Sequence, residues 1–259
     1  MESKFSSEYL ELEKTHWWFL ARKEILRSLI HRVLQRHSHL SPSENGQLKI
    51  LNIGIAGGET SRMLCSFGEV TSIEYDEATC KELAKRSIPV IQADMKNLPF
   101  EDASFDIVAA FDVVEHIDDD QSAIDEAFRT TKKGGLVFMT VPAYPILWSN
   151  HDEVNHHFRR YTSSRFKELF NGQQIIFSSY FNFLLFPVVA FLRLTSKLRV
   201  PLHPAKSDFN ITRFNIILKK IFESEKHLLS RFISFPYGVS FMLFARKVDN
   251  FPQAKETTQ

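Results

Sequence analysis

The sequence predicts an α/β protein: a doubly wound, mostly parallel seven-stranded sheet with an N-terminal helical cap and a C-terminal helical and aromatic lid insertion. Three observations predict it. Short β-rich runs alternate with helical segments from 48 to 142, a glycine-spaced turn closes the first run, and the texture changes beyond 142, sixteen of the 24 Phe lying after residue 150. Strands joined by helical crossovers of this length pair in parallel and carry helices on both faces. Ligands on such sheets bind at the carboxyl ends of the strands, where the strand order reverses. That places the glycine turn at a ligand edge.

In chain order, residues 1–47 form the cap and its linker. From about 15 to 36, Trp18, Ile25, Leu29 and Val33 share one helical stripe with Leu26 and Ile30 beside it, while Arg22, Lys23, Arg27, Arg32 and Arg36 take other faces. Pro42 and Gly46 in "HSHLSPSENGQ" end the pattern in a linker. Residues 48–182 form the core. "LKILNIG" reads as a strand, 58–67 as a helix, "EVTSIEY" as a strand, 77–86 as a helix, and "IPVIQAD" and "FDIVAAFD" as the next two strands. A helix near 120–131 leads to a fifth strand, "GGLVFMTVP". The segment 142–170, rich in His, Arg and Tyr, is a substrate loop over the ligand edge. "QQIIFSSYF" at 173–181 and "GVSFMLFARK" at 238–247 supply two further strands, and the rest of 183–259 is a lid with a helix at about 211–231.

A chain of 259 residues with 44% hydrophobic and 24% charged residues buries a sizeable core, and its net charge of +1 argues against a dedicated nucleic-acid binder. Cys65 and Cys80 imply no disulfide framework; two free core thiols suit a reducing cytoplasm. The acidic N-terminus shows no secretory signal. "FNFLLFPVVAFLRL" at 181–194, interrupted by Asn182, Pro187 and Arg193, is too short to span a bilayer, which takes about 20 apolar residues. It suits a membrane surface. Packing against the sheet is the commoner fate of Trp17, Trp18 and Phe19; the sharper expectation is that their basic helix and this apolar segment form one interfacial surface at the inner face of the membrane.

The turn itself is Gly54, Ile55, Ala56, Gly57 and Gly58. Glycine there permits positive φ and lets backbone amides approach a carboxylate or phosphate. Glu74 ends the second strand twenty positions after Gly54, where an acid can accept both hydroxyls of a ribose. A nicotinamide and an adenosyl cofactor both satisfy this geometry.

The stretch "IQADMKNLPFEDASFDIVAAFDVVEHIDD", 91–119, followed by "KKGGLVFMTVP", separates them. Together with the turn and Glu74 it resembles the class I S-adenosylmethionine-dependent methyltransferases, whose fold is Rossmann-like. The likeness covers roughly 48–142. It implies that Glu74 meets the ribose, that Asp94 and Met95 flank the adenine, that the turn Gly54 to Gly58, with Gly54, Ala56 and Gly58, meets the methionine moiety, and that backbone at Ala110 and Phe111 closes on the same moiety of S-adenosyl-L-methionine; Asn52 and Tyr75 are further cofactor-binding candidates. Two positions depart from the family. Asn52 stands where an acid is usual, and Ala56 replaces the commonest central glycine. Alanine at 56 costs little at negative φ and crowds the site at positive φ.

The flanks "HWWFLARKEIL" and "WSNHDEVNHHFRRYT" resemble bacterial enzymes of the methyltransferase-11 type, often associated with envelope lipid or glycan pathways. The acceptor expected on that likeness is a small molecule or a lipid- or glycan-like compound. An acidic acceptor proton calls for a base, and His116, His151, His156 and His157 have tunable pKa values. His116 begins the helix after the fourth strand, near the methyl edge. His151, Asp152, His156, Arg159, Arg160 and Tyr161 are expected to line the acceptor entrance, with Arg159 or Arg160 pairing an acceptor phosphate or carboxylate and His116, His151 and Tyr161 as the catalytic candidates. The spacing of "HDEVNHHFRRY" supports no metal site. A nicotinamide oxidoreductase and a non-catalytic scaffold of the same fold stay open beside the methyltransferase.

Overall fold

A computed structural model describes residues 12–37, 46–196 and 214–248. Most of the expected linker and residues 211–213 of the expected lid helix lie outside them. The first helix, α1 (Trp17–Arg36), forms because Ile25, Leu29 and Val33 recur at helical spacing with Leu26 and Ile30 beside them; it starts at His16, whose side chain accepts from the Trp18 amide. Then follow β1 (Leu48–Ile53), α2 (Glu59–Leu64), β2 (Gly68–Glu74), α3 (Glu77–Lys85), β3 (Ile91–Gln92) and β4 (Phe105–Phe111). Next come α4 (Asp120–Thr130), β5 (Thr131–Pro142), α5 (Asn150–Val154), α6 (Ser163–Glu168) and β6 (Gln174–Phe181). The chain closes with α7 (Phe186–Ser196), α8 (Asn215–Ser224), α9 (Lys226–Leu229) and β7 (Ser240–Arg246).

The seven strands make one sheet in the order β3-β2-β1-β4-β5-β7-β6. Pairs among β1 to β5 are parallel, and β7 runs antiparallel to both β5 and β6. The fold class is therefore as the sequence predicts. Every residue of β4 is buried, as a central strand covered on both faces requires. One face packs Leu51, Val108, Val137 and Leu243 against α4 and the segment around Phe166 and Phe170. The other packs Ile50, Ile107, Phe138 and Phe244 against α1, α2, α8 and α9.

Two expectations about the periphery change. Trp17, Phe19, Ile25, Leu26, Leu29 and Ile30 are buried, so the apolar stripe of α1 is spent on the protein core and is not an interfacial face. Burial of each such Leu or Ile contributes about 1.5–3 kcal/mol. Cys65 is exposed and Cys80 half-buried, so Cys65 is not a core thiol. The lid helix is two helices, broken where the buried Glu225 carboxylate accepts from the amides of Asn182 (2.8 Å) and Leu184 (3.0 Å). No helix among the described residues is long and apolar enough to cross a membrane.

Candidate active site

The strand order reverses between β1 and β4, so the turn after β1 sits at the edge where a doubly wound sheet opens. The amides of Gly54 and Ile55 donate to the Ile73 carbonyl at 3.0 and 3.2 Å, folding the turn back over the end of β2. Gly54 has φ +75°, and a Cβ there would lie 2.5 Å from Val113 Cγ2. Gly58, at φ +89°, starts α2. Ala56 has φ +45°, the costly case: an L-residue in the left-handed region gives up roughly 1–2 kcal/mol. Asn52 is fully buried; its amide donates to Ser61 Oγ at 2.8 Å, and Ser61 in turn meets Ser72 at 2.8 Å, bracing β1, α2 and β2 beneath the turn. Its Oδ1 has no partner among the described residues.

Glu74 ends β2 with its carboxylate directed at this edge, accepting from the amides of Tyr75 (2.9 Å), Asp76 (3.1 Å) and Ala56 (3.4 Å). Burial raises its pKa, and the three amides oppose that rise. Tyr75 is exposed. Asp94 Oδ1 accepts from the Lys96 amide at 2.8 Å, and Met95 is packed in the core. Ala110 and Phe111 are buried at the end of β4. Parallel pairing brings the ends of β1, β2, β3 and β4 to one edge, and with them the turn, Glu74, Asp94 and Phe111. A separate hollow of about 700 Å³ runs along α3 past Cys80, Ile88 and Gln92; it contains neither the turn nor Glu74.

Two residues at this edge escape sequence reasoning. Glu13 is 4% exposed, and its carboxylate accepts from the amides of Gly57 and Glu59, lying where a Cβ on Gly57 would have to go. Burial raises its pKa while the nearby Arg22 guanidinium lowers it. Arg22, expected on the solvent side of α1, is buried; it pairs with Asp112 just beyond β4 and stacks 4.7 Å from the Trp18 ring. The signal was there: Arg22 falls four residues after Trp18 and four before Leu26, inside the apolar stripe.

On the acceptor side the structure separates the candidates. His116 ends a 3-10 turn (Val114–His116) after β4; desolvation where its ring packs against the loop, together with His157, lowers its pKa to about 4, while the residue keeps a solvent-exposed side. His151 is lowered to about 3, again chiefly by burial. Both are neutral near pH 7. Tyr161 is corrected: it is fully buried, with its hydroxyl donating to Asp120 Oδ2 at 3.0 Å, so it cannot touch an acceptor. Asp152 and Arg160 are likewise interior. Asp152 accepts from Arg160 Nε (2.7 Å) and the Ser149 amide (2.8 Å) and faces His157 Nδ1 at 2.9 Å, which holds its pKa far below the carboxylate range against burial. Arg160 also donates to the Ala143 carbonyl and is interior, so its guanidinium is not available to an acceptor anion; Arg159 is half-buried and pairs with Asp120 at 2.8 Å. His156 is exposed.

A family model described as a methyltransferase domain matches residues 51–139. That segment is similar to class I S-adenosylmethionine-dependent methyltransferase domains. It is 26% identical over 134 residues to a Mycolicibacterium smegmatis protein described as a "probable S-adenosylmethionine-dependent methyltransferase", matching 51% of this chain and 48% of that one. It is 27% identical over 126 residues to the demethylmenaquinone methyltransferase of Staphylococcus epidermidis, 45% of this chain and 52% of that one. The chain thus spans about half the length of the curated relatives it matches. Among solved structures, a chain in the complex of the Haloferax volcanii Trm112 methyltransferase activator with a methyltransferase superposes with a TM-score of 0.56 at 15% identity, covering 96% of this chain and 97% of that one. That likeness shows the fold.

S-adenosylmethionine is the methyl donor of this family. The glycine turn holds a carboxylate already, that of Glu13, on the Gly57 and Glu59 amides where the donor's amino-acid end is expected. Those amides are thus able to hold a carboxylate.

Proposed function

We propose that the protein transfers a methyl group from S-adenosylmethionine to a small-molecule acceptor, most closely a lipid-like one. The observation that carries the first half is the pairing at one sheet edge of amides that hold a carboxylate with Glu74, positioned to accept ribose hydroxyls. The donor supplies an electrophilic methyl carbon, so this chain has mainly to bind, orient and exclude water. In this reading Asp94 and Met95 border the adenine, the segment from Ala110 to Val113 backs the methyl edge, and His116 faces the acceptor. The amides that hold Glu13 are freed when its side chain swings out. Glu13 and Arg22 are then placed to meet the ammonium and carboxylate of the incoming amino-acid end.

The lipid-like acceptor is supported by an apolar surface beside the substrate loop. On α7, Val188, Phe191, Leu192 and Leu194 are exposed, as are Ile216 and Ile217 on α8. Lys219 and Lys220 flank that face. Arg193 Nη1 lies 3.4 Å from the Leu147 carbonyl, tying α7 to the loop over the site. A relative named as a demethylmenaquinone methyltransferase supports the same class. The test is incubation of purified protein with labelled S-adenosylmethionine and lipid and aqueous extracts. Label in a lipid fraction supports the full reading, label in a water-soluble product replaces the acceptor class, and no labelled product refutes the transfer. Flotation with anionic vesicles, weakened by Phe191→Ser, supports the surface; protein that stays wholly in the soluble fraction counts against it.

A further inference from the structure

The structure assigns a divalent-cation site to Glu115, His116 and His157. Sequence spacing separates His157 from Glu115 and His116; the fold brings the three together. Glu115 and His116 end the 3-10 turn after β4, and His157 follows α5 in the substrate loop, pinned there by the Phe158 amide donating to the Glu115 carbonyl at 2.7 Å. One ligand atom from each residue lies within 4.8 Å of the others, and the two imidazoles meet edge to face at 4.6 Å.

Two further observations point to a ligand. Glu115 is 1% exposed, yet its Oε2 has no hydrogen-bond partner among the described residues. A buried carboxylate oxygen left this way costs free energy that a cation removes. His157 is also oriented as metal-bound histidines are: Nδ1 is held by Asp152 Oδ1 at 2.9 Å, which leaves Nε2 as the ligating atom, and Asp152 is itself fixed by Arg160 Nε at 2.7 Å.

Two imidazoles and one carboxylate favour Zn²⁺, Mn²⁺ or Fe²⁺ over Mg²⁺ or Ca²⁺. With bonds of about 2.0–2.1 Å, ligand atoms around a tetrahedral ion stand roughly 3.4 Å apart, so binding draws the loop inward by about an ångström. His116 is exposed, which leaves a coordination position open to the acceptor side. On the methyltransferase reading, on which this last point alone rests, that position takes an oxygen acid of the acceptor, a phenol or enol hydroxyl whose proton passes to solvent. His116 is then a ligand and not a base.

The test is calorimetry on the full chain after chelator treatment, titrated separately with ZnCl₂, MnCl₂ and MgCl₂, with the visible spectrum of the Co²⁺ form as a second readout. The expected result is one equivalent of Zn²⁺ or Mn²⁺ with micromolar or tighter affinity, weakened about ten- to a hundredfold by His116→Ala and by Glu115→Gln, and unchanged by His227→Ala at an exposed histidine outside the cluster. His116 is at the surface, so its variant folds even if Glu115→Gln does not. Stoichiometric binding absent from the parent, or equal in parent and His116→Ala, overturns the site. A parallel titration of the stripped protein with S-adenosylhomocysteine separates the two readings: cofactor binding without ion binding overturns the cation site alone, and ion binding without cofactor binding overturns the methyltransferase reading alone.

Discussion

Gly54→Ala probes the turn where the strand order reverses. Gly54 has φ +75°, and the added methyl would stand 2.5 Å from Val113 Cγ2, on the segment that backs the turn from the end of β4. The left-handed backbone costs an alanine roughly 1–2 kcal/mol, and the overlap with Val113 adds about 1–3 kcal/mol of overpacking strain. Reduced freedom of the unfolded chain returns about 0.4–1 kcal/mol. The net expectation is a loss of about 1.5–4 kcal/mol in urea unfolding at constant m-value. A double-mutant cycle with Val113→Ala isolates the overlap: the pair should lose about 1–3 kcal/mol less than the sum of the single variants, because the smaller side chain makes room. Affinity for S-adenosylhomocysteine should fall in Gly54→Ala even where the protein remains folded. A variant as stable as its parent, or a cycle that is additive, refutes the claim that β4 packs tightly against this turn.

Ala56→Gly should raise stability by up to about 1 kcal/mol, since glycine has no penalty at φ +45°; a loss on chemical unfolding would contradict the left-handed assignment. Glu225, with its pKa raised by burial to about 7 from 4.5, keeps a proton in the folded state that the unfolded chain has released. Its contribution is therefore full below about pH 4.5 and is lost as pH rises towards 7, about 3 kcal/mol in all, and Glu225→Gln should flatten that slope in pH-dependent unfolding. A slope that survives the substitution rejects the assignment. Asp152→Ala strands the Arg160 guanidinium, whose side chain is 2% exposed, and should cost about 3–5 kcal/mol in thermal or chemical unfolding; a cost below about 1 kcal/mol would mean the pair is not buried.

The sheet was legible because its strands are apolar runs with few competing patterns: β1, β4, β6 and β7 fall within the expected segments, and β2 starts one residue before its own. The misreadings have local causes. The run 88–94 yields only Ile91–Gln92, since this is an edge strand and Pro89 has no amide to donate. β5 begins at Thr131, before the glycines, because Gly134 and Gly135 exchange backbone hydrogen bonds with Lys247. In the site, the spacing from Gly54 to Glu74 was readable since both positions are fixed by consecutive parallel strands. The positive φ of Ala56 was not, because residue type alone does not set it. Glu13 and Arg22 stayed hidden because a charge near an apolar stripe reads as solvated until the sheet covers it. Tyr161, Asp152 and Arg160 looked like a polar entrance for the complementary reason: their hydrogen bonds to one another's neighbours are made only when the loop folds inward.

Calorimetric titration of the purified chain with S-adenosylhomocysteine, beside Glu74→Ala, tests the central claim most directly. One binding site is expected in the parent, weakened about ten- to a hundredfold in the variant by loss of a charged hydrogen-bond acceptor worth about 1.5–3 kcal/mol. No binding by the parent, or equal binding by both proteins, contradicts the account.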